Sequence, residues 1–261
     1  MNLQLLGKRA LVGGATSGLG LATAQALAEE GCTLVLWSRD QARLDEVADG
    51  IRGATGTQVS TVVGDSADPD TAHIVATEAG RDGPIDIVIL NGGGPPPVDP
   101  TATTGAGWES AMHTLAITPI LLATELLPGM RSRGFGRIVA ILSSGVAEPI
   151  PALAYSNAGR SALAAWLKTV SGAVAADGVT VNGVMPGRID TPRVAALDLG
   201  RATSTGRPVE EIRTDSENSI PLGRYGTPAE FASFLVMLCS PVSGYVTGRL
   251  HAVDGGMIRS A

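Results

Sequence analysis

The sequence predicts an α/β fold in which helices flank a doubly wound parallel sheet, and three observations predict it. Short runs rich in Val, Ile and Leu alternate along the chain with longer Ala-rich stretches of helical spacing. The run over 85–90 is almost continuously apolar, as expected of a strand that is buried on both faces. No internal repeat or break in composition divides the 261 residues, so we expect a single domain over 1–261.

The strands and helices can be placed in order along the chain. The runs of strand length are residues 9–12, 33–37, 59–63, 85–90, 137–142 and 179–184. The stretches with helical spacing of apolar residues are 19–30, 40–51, 69–81 and 152–176. Strands buried on both faces need helices on both sides, and such a sheet binds its ligand beyond the carboxyl ends of the strands.

Composition and charge argue against several classes of partner. The net charge of −6 and the lack of any Lys/Arg run leave no positive field for nucleic acid. Cys32 and Cys239 are far apart and outside any metal-ligand spacing, so we expect buried thiols, no disulfide and no metal site. The first residues lack a signal-peptide layout, and Pro119 and Glu125 interrupt the apolar stretch 115–130. We therefore expect a soluble cytoplasmic protein without a membrane partner.

A glycine-rich loop between the first strand and the first helix is the clearest functional motif. It reads Gly-Gly-Ala-Thr-Ser-Gly-Leu-Gly over residues 13–20. Its glycines allow a tight turn and close approach of a phosphate, and the helix that follows presents free N–H groups and its positive end to that anion. This context predicts dinucleotide binding by Gly14, Ser17, Gly18, Leu19 and Gly20.

The GxxxGxG spacing of this loop resembles the classical short-chain dehydrogenase/reductase family, and in particular its 3-oxoacyl-carrier-protein reductases. The resemblance extends over essentially the whole chain. Segments that resemble the family's other landmarks follow in the same order: residues 64–66, 91–94, 143, 181–187 and 248–256. The resemblance implies a Rossmann-type fold and an oxidoreductase that uses a nicotinamide dinucleotide.

The resemblance also implies which residues hold the cofactor and which surfaces join subunits. The implied cofactor residues are Asp65 and Ser66 at the adenine edge, Asn91, Gly92 and Gly93 beside the adenosine ribose, and Pro186, Gly187, Ile189 and Thr191 around the nicotinamide and pyrophosphate. Residues 91–94 read Asn-Gly-Gly-Gly, which departs from the family's usual Asn-Asn-Ala-Gly. A last strand over 249–253 and a helix from Pro228 resemble the family's interface elements, so a homotetramer or homodimer is implied.

The end of the second strand indicates which nicotinamide cofactor is used. An acidic residue there would accept the ribose hydroxyls of NAD and repel a 2′-phosphate. The sequence instead supplies a hydroxyl at Ser38 and a guanidinium at Arg39. Such a pair can hold a phosphate by charge-assisted hydrogen bonds, so NADP(H) is favoured over NAD(H). Asp40, which follows directly, argues in the other direction.

The family's catalytic Ser, Tyr, Lys and Asn are only partly present. Counting without gaps, Ser143 keeps the serine position, Ser156 falls at the tyrosine, Arg160 at the lysine and Leu115 at the asparagine. Tyr155 lies one residue before the expected tyrosine, and one helical residue is a rotation of about 100°. We therefore expect Tyr155 to point away from the nicotinamide unless the helix start is overwound. Arg160 can bind ribose hydroxyls but cannot shuttle a proton.

Three functions remain open. The first is an NADP(H)-dependent oxidoreductase that moves hydride to or from a small carbonyl or alcohol substrate, such as a ketoacyl compound, with the proton supplied by Ser143, Tyr155 or water. The second is a conjugate reductase of an activated C=C bond, in which Ser143, Ser144 or Ser156 stabilises an enolate. The third is a catalytically impaired NADP-binding sensor or partner subunit.

The segment 193–219 is polar and poor in apolar periodicity. We expect either a surface loop or a mobile lid over the substrate. Five arginines lie in or beside it: Arg188, Arg193, Arg201, Arg207 and Arg213. They either bind an anionic substrate group, such as a carboxylate or the phosphate of an acyl carrier, or pair with nearby acidic residues.

Overall fold

A single sheet of seven parallel strands organises the computed structural model, which describes residues 2–259. The strands are β1 (Arg9–Gly13), β2 (Thr33–Ser38), β3 (Val59–Val63), β4 (Ile87–Leu90), β5 (Gly136–Ile141), β6 (Val179–Pro186) and β7 (Leu250–Val253). They are arranged in the order β3-β2-β1-β4-β5-β6-β7, and every neighbouring pair is parallel. The predicted doubly wound sheet is thus confirmed. The chain reverses direction across the sheet between β1 and β4, which opens a crevice beyond their carboxyl ends.

Helices connect the strands and cover both faces of the sheet. They are α1 (Gly18–Glu29), α2 (Gln41–Thr55), α3 (Thr71–Gly80), α4 (Gly105–Met112), α5 (Thr118–Ser132), α6 (Ala154–Val174), α7 (Pro192–Thr205), α8 (Val209–Asn218) and α9 (Pro228–Cys239). A π-helical turn, His113–Ile117, joins α4 to α5 without a break. The four helices placed from periodicity and the one expected from Pro228 are all present, with ends shifted by a few residues.

Two apolar layers hold the helices onto the sheet. Helices α1, α2 and α9 pack on one face, and α3, α5 and α6 pack on the other. Phe231 of α9 is fully buried, so the apolar stripe of that helix belongs to the internal core. Burying such a side chain contributes roughly 1.5–3 kcal/mol relative to leaving it in water. Cys32 and Cys239 are both buried free thiols, as predicted.

One helical stretch has the length and composition of a membrane span. It covers residues 105–132, and its most apolar window has a mean hydropathy of 1.3. In the structure α5 packs against α3 and the sheet, with Leu122 and Met130 fully buried. The stretch therefore acts as a core helix of the α/β fold.

The segment 193–219 is not a plain surface loop, because two helices, α7 and α8, occupy it. Its interpretation as a mobile lid over the substrate stays a prediction. Each helix turns few apolar side chains inward, so the apolar periodicity is weak; α8 buries only Ile212 and Ser216 among the described residues. Local signals define the ends instead. Thr191 caps α7, Pro192 is its first residue, and Gly206 ends it in a left-handed conformation.

Candidate active site

The start of α1 is prepared to receive an anion. Ser17 occupies the N-cap position, but its side chain makes no capping hydrogen bond, and the first turn contains no acidic residue. The first backbone N–H groups therefore face the crevice without a partner of their own. Gly14 and Gly18 take positive φ angles of 57° and 54°, a conformation that other residues adopt at a cost. Leu19 packs against the core and Gly20 is buried.

Asn91 anchors this loop from the neighbouring strand. Its side-chain amide donates to the Gly13 carbonyl at 3.1 Å and so joins the end of β4 to the end of β1. A Cβ atom on Gly14 would lie 2.7 Å from the Asn91 amide nitrogen, which excludes a larger residue. Asn91 therefore fixes the loop that the sequence predicts for phosphate binding.

Thr191 faces the same loop from the other side of the crevice. A Cβ atom on Gly18 would lie 3.6 Å from the Thr191 methyl group, with no closer neighbour. Pro186 is the last residue of β6, and Gly187, the buried Ile189 and Thr191 follow it. Free helix amides and a glycine surface, faced by the Thr191 methyl group, form a cradle of the kind that a dinucleotide pyrophosphate fills.

The end of β2 carries a small polar cluster. The Thr16 hydroxyl lies 3.5 Å from the Ser38 hydroxyl, although the two residues are 22 positions apart. Arg39 is exposed and only loosely paired with Asp65, at 3.9 Å. Asp40 accepts from the Arg43 N–H and caps α2, so its carboxylate is occupied by its own helix. Sequence analysis missed Thr16, because only the fold brings it to Ser38.

The loops after β3 and β4 meet beside this cluster. The Ser66 hydroxyl is 4.0 Å from the place where Gly92 would carry a Cβ atom, and the Ser66 carbonyl accepts from Thr118 at 2.9 Å. Gly93 has no neighbour within 4 Å of its Cβ position. Ser66, Gly92 and Gly93 thus border one open space.

Ser143 lies two residues after the end of β5 and is partly exposed. Its Oγ accepts from the Gly145 N–H at 3.0 Å, so the hydroxyl proton stays free to be donated. Ser144, its neighbour, is buried. Ser143 therefore presents a hydrogen-bond donor at the carboxyl edge of the sheet.

Ser156 and Arg160 lie one turn apart on the buried face of α6. The Arg160 guanidinium donates to the carbonyl of Ile141 at 2.5 Å and to that of Gly92 at 3.4 Å. It thus bridges the carboxyl ends of β5 and β4. Burial, reinforced by the nearby charge of Arg193, lowers the pKa of Arg160 to about 10. The group remains a cation at neutral pH.

Tyr155 points toward α4. Its hydroxyl accepts from the Thr104 N–H at 2.8 Å, and its ring meets the Trp108 ring edge-to-face at 4.8 Å between centroids. Within residues 2–259 the Tyr155 hydroxyl forms no hydrogen bond with Ser143 or Arg160. The structure therefore brings Arg160 to the sheet edge and directs the Tyr155 hydroxyl to the start of α4.

The position counted for the family's asparagine falls in the π-helical turn. Leu115 is buried there against Gly159 of α6, where a Cβ atom would lie 2.9 Å from the Leu115 Cβ. This position supplies packing and no polar side chain. Among the described residues, no group of three or more His, Cys, Asp or Glu could hold a metal ion.

The five arginines of the 188–213 region separate into two kinds. Three pair with carboxylates, in the pairs Arg188–Asp198, Arg207–Asp215 and Arg213–Asp190. Arg201 is exposed on α7. Arg193 instead donates to the Pro95 carbonyl at 2.6 Å, a contact that could not be predicted from the sequence because 98 positions separate the two residues.

An apolar cavity of about 380 Å³ opens beside this contact. It is lined by Pro97, Val98, Asp99, Pro100, Pro151 and Ala152. Val98 donates its N–H to the Ala152 carbonyl at 2.9 Å, which ties the loop after β4 to the loop before α6. This shallow pocket is therefore lined largely by aliphatic side chains.

Comparisons with known proteins agree with this geometry. The family model described as "Enoyl-(Acyl carrier protein) reductase" matches residues 14–258. The chain is 30% identical to the 3-oxoacyl-(acyl-carrier-protein) reductase FabG of Aquifex aeolicus, over 98% of this chain and 100% of that protein. The structure of L-sorbose reductase from Gluconobacter frateurii, complexed with NADPH and L-sorbose, superposes with a TM-score of 0.95 at 30% identity and full coverage of both chains. An actinorhodin polyketide ketoreductase with NADPH superposes with a TM-score of 0.91 at 28% identity, over 97% of this chain and 98% of that one.

Proposed function

The chain belongs to the classical short-chain dehydrogenase/reductase family of NAD(P)-dependent oxidoreductases, and from that premise we propose that it uses NADP(H) to reduce the carbonyl group of a small molecule. The observation that carries this proposal is the meeting of the uncapped start of α1, Ser143 and Arg160 at the carboxyl edge of the sheet. The reverse reaction, oxidation of an alcohol, uses the same groups.

The cofactor residues are proposed from the cradle described above. The amides that follow Ser17 hold the pyrophosphate, with Thr191 packed against the same loop, and Ser38 with Arg39 holds the 2′-phosphate. Asp65, Ser66, Asn91, Gly92 and Gly93 border the adenosine. The remaining N–H groups of Arg160 bind the nicotinamide ribose. When bound, the cofactor supplies the hydride.

The carbonyl oxygen of the substrate needs a hydrogen-bond donor as negative charge develops on it. Ser143 has a free hydroxyl proton for this role, and Ser156 lies on the face of α6 that Arg160 shares. Arg160 cannot release a proton at neutral pH. We therefore propose that Ser143 polarises the carbonyl, with Ser156 beside it, and that water supplies the proton. Tyr155 positions the start of α4.

A second candidate function is conjugate reduction of an activated C=C bond. Two observations favour it: the description of the matching family model names an enoyl reductase, and the Tyr155 hydroxyl is held by the Thr104 backbone. An enolate needs only hydrogen-bond donors such as Ser143, Ser144 or Ser156, and solvent can protonate the carbon afterwards. A protein that binds NADPH without turnover would be the sensor or partner subunit that the sequence left open.

The deciding experiment follows NADPH oxidation against ketoacyl thioesters, diketones, ketoses and activated enones. Ser143→Ala, Ser156→Ala and Arg160→Ala are compared with the unmodified chain, and NADPH binding is measured by fluorescence. Turnover of ketones that Ser143→Ala abolishes supports the proposal. Turnover of enones alone identifies the conjugate reductase. Tight binding of NADPH with no turnover contradicts both reductase functions and supports the sensor.

We also propose a cytoplasmic homotetramer or homodimer with a small-molecule substrate and no nucleic-acid or membrane partner. The net charge of −6 disfavours nucleic acid. Several apolar side chains remain exposed, among them Ile117, Leu121 and Leu250. Size-exclusion chromatography with light scattering measures the mass directly, and a mass of 26.5 kDa would contradict an oligomer.

A further inference from the structure

Arg193 stands in an unfavourable position for a cation. It is the second residue of α7, where the positive end of the helix dipole repels a positive charge. Within the described chain it forms no ion pair, although Arg188, Arg207 and Arg213 around it all have carboxylate partners. It donates to the Pro95 carbonyl, and Gly94 lies against its guanidinium. A cation that lies at a helix N-terminus without a compensating ion pair is a candidate functional residue.

A second unpaired cation lies close by. Arg160 is buried and forms no ion pair with any carboxylate of residues 2–259. Its partner Gly92 and the Pro95 partner of Arg193 belong to the same short loop after β4. The two guanidinium charges are close enough for Arg193 to lower the pKa of Arg160. Two guanidinium groups thus contact the loop after β4, and within residues 2–259 neither forms an ion pair.

The phosphates of the cofactor are accounted for elsewhere. The pyrophosphate cradle lies between α1 and Thr191, and the 2′-phosphate residues lie at the end of β2. Arg193 reaches the loop after β4 instead, next to the aliphatic cavity. With the cofactor phosphates assigned in this way, an anion at Arg193 is assigned to the substrate.

We propose that Arg193 determines substrate specificity by binding the carboxylate of an oxo acid. The inference rests on the proposed reductase function and names its substrate class. One of the five N–H donors of the guanidinium is used by Pro95, so the others can form the bidentate pair that arginine makes with a carboxylate. Arg160 contributes a second positive charge near this carboxylate while it keeps its hydrogen bonds to the Ile141 and Gly92 carbonyls.

The test compares short 3-oxo and 4-oxo acids with their methyl esters, which keep the ketone and lose the charge. For the unmodified chain we expect kcat/KM to favour each acid by about 10-fold or more. Arg193→Gln should remove that preference and leave the ester unchanged within about twofold. Arg201 is an exposed residue on the same helix, and Arg201→Gln removes the same charge. This control should leave kcat/KM unchanged for both the acid and the ester.

Equal losses for acid and ester in Arg193→Gln, with weakened NADPH binding, would mean that Arg193 holds the loop or the cofactor, and would overturn the inference. An unmodified chain that prefers the esters would overturn it while the reductase function stands. Calorimetric titration of 4-oxopentanoate into the protein with NADP⁺ gives a readout without turnover. If 4-oxopentanoate binds to the unmodified chain and not to Arg193→Gln, the result supports carboxylate recognition even if no ketone is reduced. If 4-oxopentanoate does not bind and no substrate is turned over, both proposals are overturned.

Discussion

Tyr155 and Ser156 are neighbours in the sequence, but their side chains point in different directions from α6. Ser156 shares the buried face of α6 with Arg160, whose guanidinium lies at the ends of β4 and β5, whereas Tyr155 contacts Thr104 and Trp108. About 100° per residue accounts for this divergence. The hydroxyl of Tyr155 is therefore bonded to the start of α4, and the proposed function assigns the chemistry of the site to serine hydroxyls.

Tyr155→Phe should lower stability and leave catalysis nearly unchanged. The substitution deprives the Thr104 N–H of its acceptor, and a partly buried donor without a partner costs about 1–2 kcal/mol in the free energy of unfolding. Urea denaturation and kcat with the preferred ketone measure the two effects. Tyr245→Phe, at a fully exposed tyrosine, is the matched control. A fall in kcat of more than about 100-fold without loss of stability would instead make Tyr155 the proton donor.

Ser38→Asp should reverse the cofactor preference. A carboxylate at the end of β2 repels a 2′-phosphate and accepts ribose hydroxyls, so kcat/KM should fall about 10- to 100-fold with NADPH and rise with NADH. Steady-state kinetics with both cofactors measures this. Ser38→Asn has nearly the same shape without the charge. If Asn and Asp have equal effects, the preference depends on shape and the assignment of the phosphate to Ser38 and Arg39 is wrong.

Some roles of individual residues could be read from the sequence and others could not. The tight turn of the glycine loop was predictable because its motif is local, whereas the roles of that loop and of Ser143 stay predictions. The contacts of Thr16 and Arg193 were not predictable, since they join residues 22 and 98 positions apart. Only the assembled fold brings these residues together.

At the scale of elements, end signals define the helices that periodicity misses. Helix α9 combines a strong apolar face with a capping box, in which Thr227 and Glu230 bond to each other's backbone N–H groups. Helix α7 has a cap at Thr191 and a left-handed Gly206 at its end, whereas α8 has no side-chain cap and only two acidic residues in its first turn; both helices have a weak apolar face. Local end signals therefore indicate α7 clearly and α8 only weakly.

The capping box of α9 should make stability depend on pH. Hydrogen bonds from Arg224 and then from the Thr227 N–H lower the pKa of Glu230 from 4.5 to about 2. Because the pKa of Glu230 is lower in the folded than in the unfolded state, its ionised side chain stabilises the fold at every pH above the unfolded-state pKa. This stabilisation is lost as the pH falls toward the folded-state pKa. The Tm difference between the unmodified chain and Glu230→Gln should thus be constant near neutral pH and shrink below about pH 4.5.

Thermal unfolding followed by circular dichroism between neutral and acidic pH measures this difference. Arg224→Gln removes the largest cause of the lowered pKa of Glu230. In the Arg224→Gln background, adding Glu230→Gln should therefore change Tm less than it does in the unmodified chain. A Tm difference that grows as the solution becomes acidic would contradict the assigned sign.

For the whole molecule, the sheet was predictable because its central strands are buried on both faces. Six strands appear as apolar runs and lie within two or three residues of their predicted ends. The seventh, β7, is a half-exposed edge strand with Leu250 exposed, so no continuous run marks it, and only the family resemblance indicated it. The order of the strands follows from the rules for parallel crossovers once that fold class is accepted.

The two cysteines allow opening of the whole molecule to be measured. Cys32 lies at the start of β2 and Cys239 at the end of α9, and both are fully buried in the same core layer. Burial raises the pKa of the Cys32 thiol to about 12 and also raises the pKa of the Cys239 thiol. Because the thiolate is the reactive form, both thiols should react with a disulfide reagent at least about 1,000-fold more slowly than in the unfolded chain. Cys32→Ala and Cys239→Ala each leave one thiol, and equal labelling rates in the two variants would show that the layer opens as one unit. A single fast thiol would instead locate a local opening at β2 or at α9.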